Sequence, residues 1–268
     1  MIRPCGNGIT VASNSLVTFA DNSLLLPIVL TFLLAGAVKG VIGMGLPTIA
    51  LAILVVIQDL TVAMALLVMP SLITNCWQAA TGGNLVKLGN RLWPFLLAAS
   101  VTIFVGALAL SWVKLEWLSA LLGLLLVVYA LSSLAGLTLS INVAMEGWAG
   151  PVTGVINGVL TGMTGSFVVP GVMYLQALGL ERDQLVQAMG MLFTVSTVAL
   201  GLALILHDRM DWNLGLLSMI GVVPALIGMV IGQMIRQRLS QQVFRKVFFI
   251  SVLLLGVYIV FNSYLDGA

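Results

Sequence analysis

The chain has 268 residues, of which 60% are apolar and only 7% are charged. A soluble domain carries about a quarter charged residues, so this composition excludes a soluble domain and predicts a polytopic membrane protein. The net charge of +2 is too small to indicate a nucleic-acid partner. We expect the protein to be surrounded by the lipid bilayer. The two cysteines, Cys5 and Cys76, have no spacing typical of metal or redox chemistry.

The apolar stretches are continuous, as in residues 121–137, whereas a transmembrane β-barrel would show short segments of alternating polarity. We therefore predict an all-α polytopic membrane protein with about 8–10 transmembrane or half-spanning helices. Residues 1–23 are expected to form a polar tail that is retained, and residues 24–263 a single transmembrane domain.

The apolar segments follow one another in two sets of five. The first set covers residues 24–42, 46–57, 61–80, 92–111 and 116–137. The second set covers residues 148–162, 166–178, 184–206, 212–235 and 244–263. We interpret the two sets as two weakly similar repeats, residues 24–137 and 148–263.

The basic loops predict how the repeats are oriented. Lys87 and Arg91 precede the fourth segment of the first repeat. Four further basic residues separate the last two segments of the second repeat: Arg236, Arg238, Arg245 and Lys246. Basic residues in short loops stay cytoplasmic, and the two loops share one side if each repeat crosses the membrane an odd number of times. Such a chain has inverted repeats, as many secondary transporters do, and both termini face outward.

Each repeat opens with a glycine-rich segment that closes at a proline, "GAVKGVIGMGLP" (36–47) and "GVINGVLTGMTGSFVVP" (154–170). Inside a bilayer, a broken helix survives only where protein or a water-filled cavity covers it, and its free N–H groups attract anions. We therefore predict substrate binding between the repeats, at residues of both breaks: Gly40, Gly43, Gly45, Pro47, Gly158, Gly162, Gly165, Ser166 and Pro170. The alternative is that the glycines only allow close helix packing.

Lys39 is the only charged side chain within an apolar segment, and no acidic residue in a span is available to pair with it. A buried lysine needs an anion, so a bound anionic substrate is a candidate partner. The alternative is that the long side chain snorkels to the lipid headgroups. Asn157 lies 118 positions later, at the equivalent place in the second repeat.

The third segment carries one polar stripe, Ser71, Thr74, Asn75 and Gln78, at helical spacing. Its counterpart holds Gln187, Thr194, Ser196 and Thr197. Polar stripes either line a site or bond neighbouring helices, and both interpretations stay open here. Within the stripe we expect Asn75 and Gln78 to contact substrate, together with Asn157, because buried amides are costly to leave without partners.

No metal-ligand cluster, nucleotide fingerprint or Walker loop appears, so we expect no metal, no cofactor and no ATPase activity. The only histidine, His207, lies in a loop of mixed charge, and no catalytic residue is predicted. Two rivals to a transporter remain: a structural subunit of a membrane complex that transports nothing, and a membrane-embedded enzyme.

Four pieces of sequence carry a family resemblance: "GVIGMGLP" (40–47), "GVLTGMTGSFVVP" (158–170), "TNCWQAATGGN" (74–84) with "RLWP" (91–94), and the apolar span after "RKVF" (245–248). With these pieces the duplicated, short-looped chain resembles the TauE/SafE family of membrane transporters, also called sulfite exporters. The resemblance implies movement of sulfur-containing anions, such as sulfite or organosulfonates, across a bacterial inner (cell) membrane. We predict a secondary transporter or permease for small anions, and the sequence leaves open which anion it moves, the direction, and whether it works as a homodimer.

Overall fold

A computed structural model describes residues 22–137, 140–236 and 241–267, which form twelve α-helices and no strand. In chain order these are α1 (Asn22–Ile42), α2 (Leu46–Ile57), α3 (Leu60–Ala80), α4 (Leu85–Ala107), α5 (Ala109–Trp112), α6 (Leu115–Leu134), α7 (Val143–Thr164), α8 (Gly171–Ala177), α9 (Arg182–Leu206), α10 (Trp212–Met219), α11 (Val222–Arg236) and α12 (Gln241–Gly267). The all-α prediction is confirmed. The predicted polar tail lies outside the described residues, except that Asn22 and Ser23 already belong to α1.

Seven helical segments of the described chain are long and apolar enough to cross a membrane. They are α1, α3, α4 with α5, α6, α9, α10 with α11, and α12. Their outer faces are apolar, as in the exposed side chains of Leu26, Val101 and Leu202. In water such a surface would aggregate, whereas lipid tails solvate it. The chain is therefore a multi-pass membrane protein.

Several predicted segments differ from the observed helices. The fourth segment, predicted at 92–111, begins earlier, because α4 includes the polar turns around Lys87 and Arg91. The segment predicted at 166–178 is helical only in α8, because residues 165–170 form a non-helical break.

The segment predicted at 212–235 is divided into α10 and α11, and α10 packs against α3. Pro70 lies inside α3 and has no N–H to donate to the carbonyl group of Leu66. The buried hydroxyl group of Ser218 replaces it: Ser218 Oγ donates to Leu66 O at 3.0 Å and accepts from Met69 N at 3.0 Å. The end of α10 therefore satisfies the backbone where Pro70 interrupts α3.

The helices associate mainly as four pairs: α1 with α11, α4 with α7, α3 with α9, and α6 with α12. The central pair, α3 and α9, is antiparallel, because Gly190 near the start of α9 lies against Gln78, and Gly201 farther along lies against Val68. By sequence these are the third helices of the two halves.

The pair α6 and α12, the fifth helices of the two halves, is antiparallel as well. Gly123 of α6 lies against Val260, and Gly256 of α12 lies against Val127. The first helix of each half pairs instead with the fourth helix of the other half, as α1 with α11 and α7 with α4. Equivalent helices of the two halves thus run in opposite directions in both pairs that they form.

Candidate functional site

The first glycine-rich segment contains a break between two helices. The helix α1 ends at Ile42 and α2 begins at Leu46. Between them Gly43 has φ 80° and Gly45 has φ 107°, left-handed angles that favour glycine. Pro47 lies in the first turn of α2, where a missing N–H costs no helical hydrogen bond. The chain therefore turns at these glycines, and Pro47 removes no backbone hydrogen bond from the interior of α2.

The second break follows α7 at Gly165, which has φ 73°, and ends at Pro170 just before α8. Threonine side chains of α7 bind part of its backbone. Thr161 Oγ1 donates to Ser166 O at 2.9 Å, and the Ser166 N–H donates to Thr164 Oγ1 at 3.2 Å. The hydroxyl group of Thr164 thus binds one of the backbone N–H groups that a substrate anion was expected to bind.

The two breaks lie toward opposite ends of the bundle. Gln78, near the end of α3, bonds the carbonyl group of Gly43, whereas Met64, near the start of α3, lies against Gly165. Residues 64 and 78 are separated by about 20 Å along a helix that rises 1.5 Å per residue. One small anion therefore does not touch both breaks at once, and the expectation that their backbone N–H groups share it requires revision.

Lys39 is the only charged side chain among those buried in the described chain, with 3% of its surface exposed. Its ammonium group points inward between α1 and α3. It donates to Thr74 Oγ1 at 3.1 Å and to the amide oxygen of Asn75. Snorkelling would place this group at the headgroups, whereas here it lies among side chains that are fully buried.

Asn75 presents a donor beside this cation. An ammonium group only donates, so the amide oxygen of Asn75 must face Lys39 and its Nδ2 faces away. That Nδ2 is buried without a hydrogen-bond partner, and so is the hydroxyl group of Ser71 one turn earlier. Lys39, Asn75 and Ser71 therefore place three buried hydrogen-bond donors along one stretch of α3. Buried donors of this kind are the groups that bind an anion.

The second half contains a similar arrangement at Asn157 on α7. Its amide oxygen accepts the N–H of Gly171 at 2.9 Å, which orients the amide, and its Nδ2 is buried without a partner. Ser196 on α9 likewise has a buried hydroxyl group without a partner. In both halves, a donor holds the amide oxygen and the amide nitrogen is left to donate.

Gln78 and Gln187 join elements rather than facing open space. Gln78 Nε2 donates to Gly43 O at 2.8 Å and to Val186 O at 2.7 Å, so it ties the first break to the start of α9. Gln187 Nε2 donates to Ala79 O at 2.8 Å, and its Oε1 accepts the N–H of Asn84 at 3.0 Å. Part of the polar stripe therefore bonds neighbouring helices, as the alternative interpretation proposed.

The helical glycines that were predicted to bind substrate instead lie against neighbouring backbones. A Cβ added to Gly40 would overlap the carbonyl oxygen of Met229 on α11. Gly158 and Gly162 of α7 would meet carbonyl oxygens of α4 in the same way. These three residues allow close packing, whereas Gly43, Gly45 and Gly165 permit the turns at the breaks.

Sequence reasoning singled out Asn75 and Gln78 in the stripe but overlooked Thr74, which contacts Lys39. Thr74 Oγ1 also donates to Pro70 O at 2.8 Å, which orients its lone pair toward the ammonium group. Thr74 belongs to the predicted polar stripe. No pattern in the sequence shows, however, which member of the stripe faces Lys39, which lies 35 positions earlier in the chain.

The breaks, the close-packed helices and the buried cation with unpartnered donors together are features of a membrane transport protein. The family described as Sulfite exporter TauE/SafE matches residues 28–259 of the chain. The chain belongs to this family of membrane transporters, as the sequence resemblance predicted. No curated protein and no solved structure matches it.

Proposed function

We propose that the protein is a secondary transporter or permease for small anions, with sulfite and organosulfur anions as its substrates. The observation that carries the proposal is the buried ammonium group of Lys39, which has two neutral oxygens as partners and no described carboxylate. An isolated buried charge is costly, and an anion at this place would compensate it.

The anion would bind beside the ammonium group of Lys39, with the Nδ2 group of Asn75 and the hydroxyl group of Ser71 as further donors. An oxyanion such as sulfite offers several acceptor oxygens, enough to satisfy these groups together. Hydrogen bonds to charged groups are shorter and stronger than neutral ones, especially where water is excluded. The amide and hydroxyl groups would fix the orientation, while Lys39 would supply the countercharge.

One end of the bundle, which we call the basic end, carries most of the positive charge. It is formed by the starts of α4, α9 and α12 and by the end of α11. Its basic side chains are Lys87, Arg91, Arg182, Arg236, Arg245 and Lys246. Positive loops stay in the cytoplasm, so we place this end inside the cell and the protein in the bacterial inner membrane. An inside-negative potential then drives export of an anion by about 2.3 kcal/mol per charge per 100 mV.

We also infer that the two halves are inverted repeats that work by alternating access. The opposite directions of α3 and α9, and of α6 and α12, support this inference. Lys39 and Asn75 would bind the anion in the first half when the protein is open to one side. Asn157 would bind it at the equivalent place in the second half when the protein is open to the other side. Gln78, which ties the first break to α9, would then hold the Lys39 site closed.

The decisive experiment is flux of sulfite in proteoliposomes that contain only this protein, at a set membrane voltage. Taurine, acetate and chloride serve as comparison substrates. We expect saturable flux that prefers the sulfur oxyanion and that responds to voltage as a negative charge does. Flux of none of these substrates would contradict the proposal and would favour the structural-subunit interpretation.

The substitution Asn75→Asp tests whether the anion occupies this position. The new carboxylate has the same shape and would pair with Lys39, so it would satisfy the cation internally. We expect sulfite affinity to fall by about tenfold or more, the equivalent of at least 1.4 kcal/mol. Isothermal titration of sulfite into the purified protein measures this loss.

The matched control is Asn213→Asp, which adds the same charge at an exposed position of α10. Its sulfite affinity should equal that of the wild type. If Asn75→Asp also binds sulfite normally, the anion does not bind at Lys39.

A further inference from the structure

Two adjoining cavities open at the basic end, directly beside the first break. The first has a volume of about 170 Å³ and is lined by Ile42 at the end of α1, by Met44 of the break, and by Arg182, Val186 and Arg245. The second has a volume of about 230 Å³ and shares Gln176, Leu185 and Arg245 with the first. We call the two cavities together the vestibule.

The vestibule carries positive charge that the described chain does not neutralise. Neither Arg182 nor Arg245 forms an ion pair with a described carboxylate. Arg245 is held by a cation–π contact, with its guanidinium carbon 5.5 Å from the ring centre of Phe249. Glu181 and Asp183 flank Arg182 in the sequence, but neither of them lines the vestibule.

The vestibule also lies next to the Lys39 site. Val186 lines its wall, and Gln78 bonds both the carbonyl group of Val186 and that of Gly43. Asn75 lies one helical turn deeper on α3 than Gln78 and bonds Lys39. Gln78 thus separates the vestibule from the buried cation.

The opposite end of the bundle has a cavity of contrasting charge. Its volume is about 290 Å³, and it is lined by the start of α6, the end of α12 and the start of α3, with Asp59 and Glu116 among the lining residues. The vestibule is built from the opposite ends of α6 and α12 and from the start of α9. The two cavities therefore occupy corresponding places in the two halves, one with arginines and the other with carboxylates.

We propose that the vestibule is a second anion-binding site, where Arg182 and Arg245 hold a small oxyanion before it reaches Lys39. This inference rests on the proposed function and adds a loading site on one side only. Guanidinium groups bind oxyanions through paired N–H donors, and a cavity lined by one sign of charge raises the local concentration of the opposite ion. The carboxylates at the other end disfavour the same anion, so loading is efficient from the basic end alone.

The test compares sulfite transport from each side of proteoliposomes of known orientation, for wild type and Arg182→Gln/Arg245→Gln. We expect the KM for loading from the basic end to rise about tenfold, because focusing by the two charges is lost. The KM from the opposite end should stay close to wild type. The charge-retaining Arg182→Lys/Arg245→Lys variant should recover most of the lost affinity.

The matched control is Arg236→Gln/Lys246→Gln, which removes two charges from the same end but from residues that do not line the vestibule. Its KM should be normal on both sides. An unchanged KM in Arg182→Gln/Arg245→Gln, an equal rise on both sides, or an equal effect of the control would overturn the inference.

Calorimetric titration with sulfite separates this inference from the proposed function. Wild type should show two binding events, one absent from Arg182→Gln/Arg245→Gln and the other from Lys39→Met. If the wild type moves no sulfite but shows two binding events, and the arginine variant shows only one of them, the vestibule site stands and the transport proposal fails. If wild type neither moves nor binds sulfite, both are wrong.

Discussion

Lys39→Met should greatly reduce anion transport while the protein stays folded. The substitution keeps an apolar stem of similar length but removes the ammonium group that contacts Thr74 and Asn75. Loss of a buried charge that pairs with a ligand costs about 2–5 kcal/mol of binding free energy. We therefore expect the kcat/KM for sulfite to fall by about 30-fold or more, since 1.4 kcal/mol corresponds to a factor of ten.

Folding should not suffer, because an apolar residue replaces a charge whose burial is costly. The thermal unfolding temperature of Lys39→Met in detergent should equal or exceed that of the wild type. Lys87→Met is the matched control, since Lys87 is exposed at the basic end, and it should transport normally. Normal transport by Lys39→Met would show that the cation has no part in moving the anion.

Gly158→Ala should give a large loss of stability for a single methyl addition in α7. The new Cβ would overlap the carbonyl oxygen of Ala99 and the hydroxyl group of Thr102, both on α4. A backbone carbonyl group moves only if the helices separate, so the expected cost is about 1–3 kcal/mol. Unfolding followed by the loss of monodisperse protein on heating should show a midpoint lower by about 2–12 °C.

Gly147→Ala is the matched control on the same helix, because nothing lies within 4 Å of a Cβ added there. Alanine favours a helix over glycine by about 0.5–1 kcal/mol, so this variant should be as stable as wild type or slightly more so. Equal stability of the two variants would show that the pair of α4 and α7 does not depend on the close approach at Gly158.

The helical membrane fold could be predicted from the sequence because its signals are local. Continuous apolar segments identify helices in lipid, and the glycine-proline endings of "GVIGMGLP" (40–47) and "GSFVVP" (165–170) mark interruptions. Both interruptions are present in the structure, at residues 43–45 and 165–170. The division of the segment 212–235 was not predicted, because it is associated with a hydrogen bond from Ser218 to a distant helix.

Lys39 could be singled out for a similar reason, since a lone charge in an apolar segment is visible without any contact being known. The glycines were harder to assign, because the same residue type serves turns and close packing. Gly45 takes a left-handed angle, whereas Gly40 lies in a regular helix against α11. The sequence contains both in one motif and does not separate the two roles.

The amino-acid sequence by itself determined that this is an all-helical membrane protein with two interrupted helices and one buried cation, because apolarity, chain length and charge are properties of each segment alone. Only the tertiary structure decided that Thr74 and Asn75 hold Lys39, that the two breaks lie toward opposite ends, and that Arg182 and Arg245 meet at one vestibule. Those contacts join helices that are far apart in the chain. They depend on the rotation and register of each helix against its neighbours, which packing of the whole bundle sets.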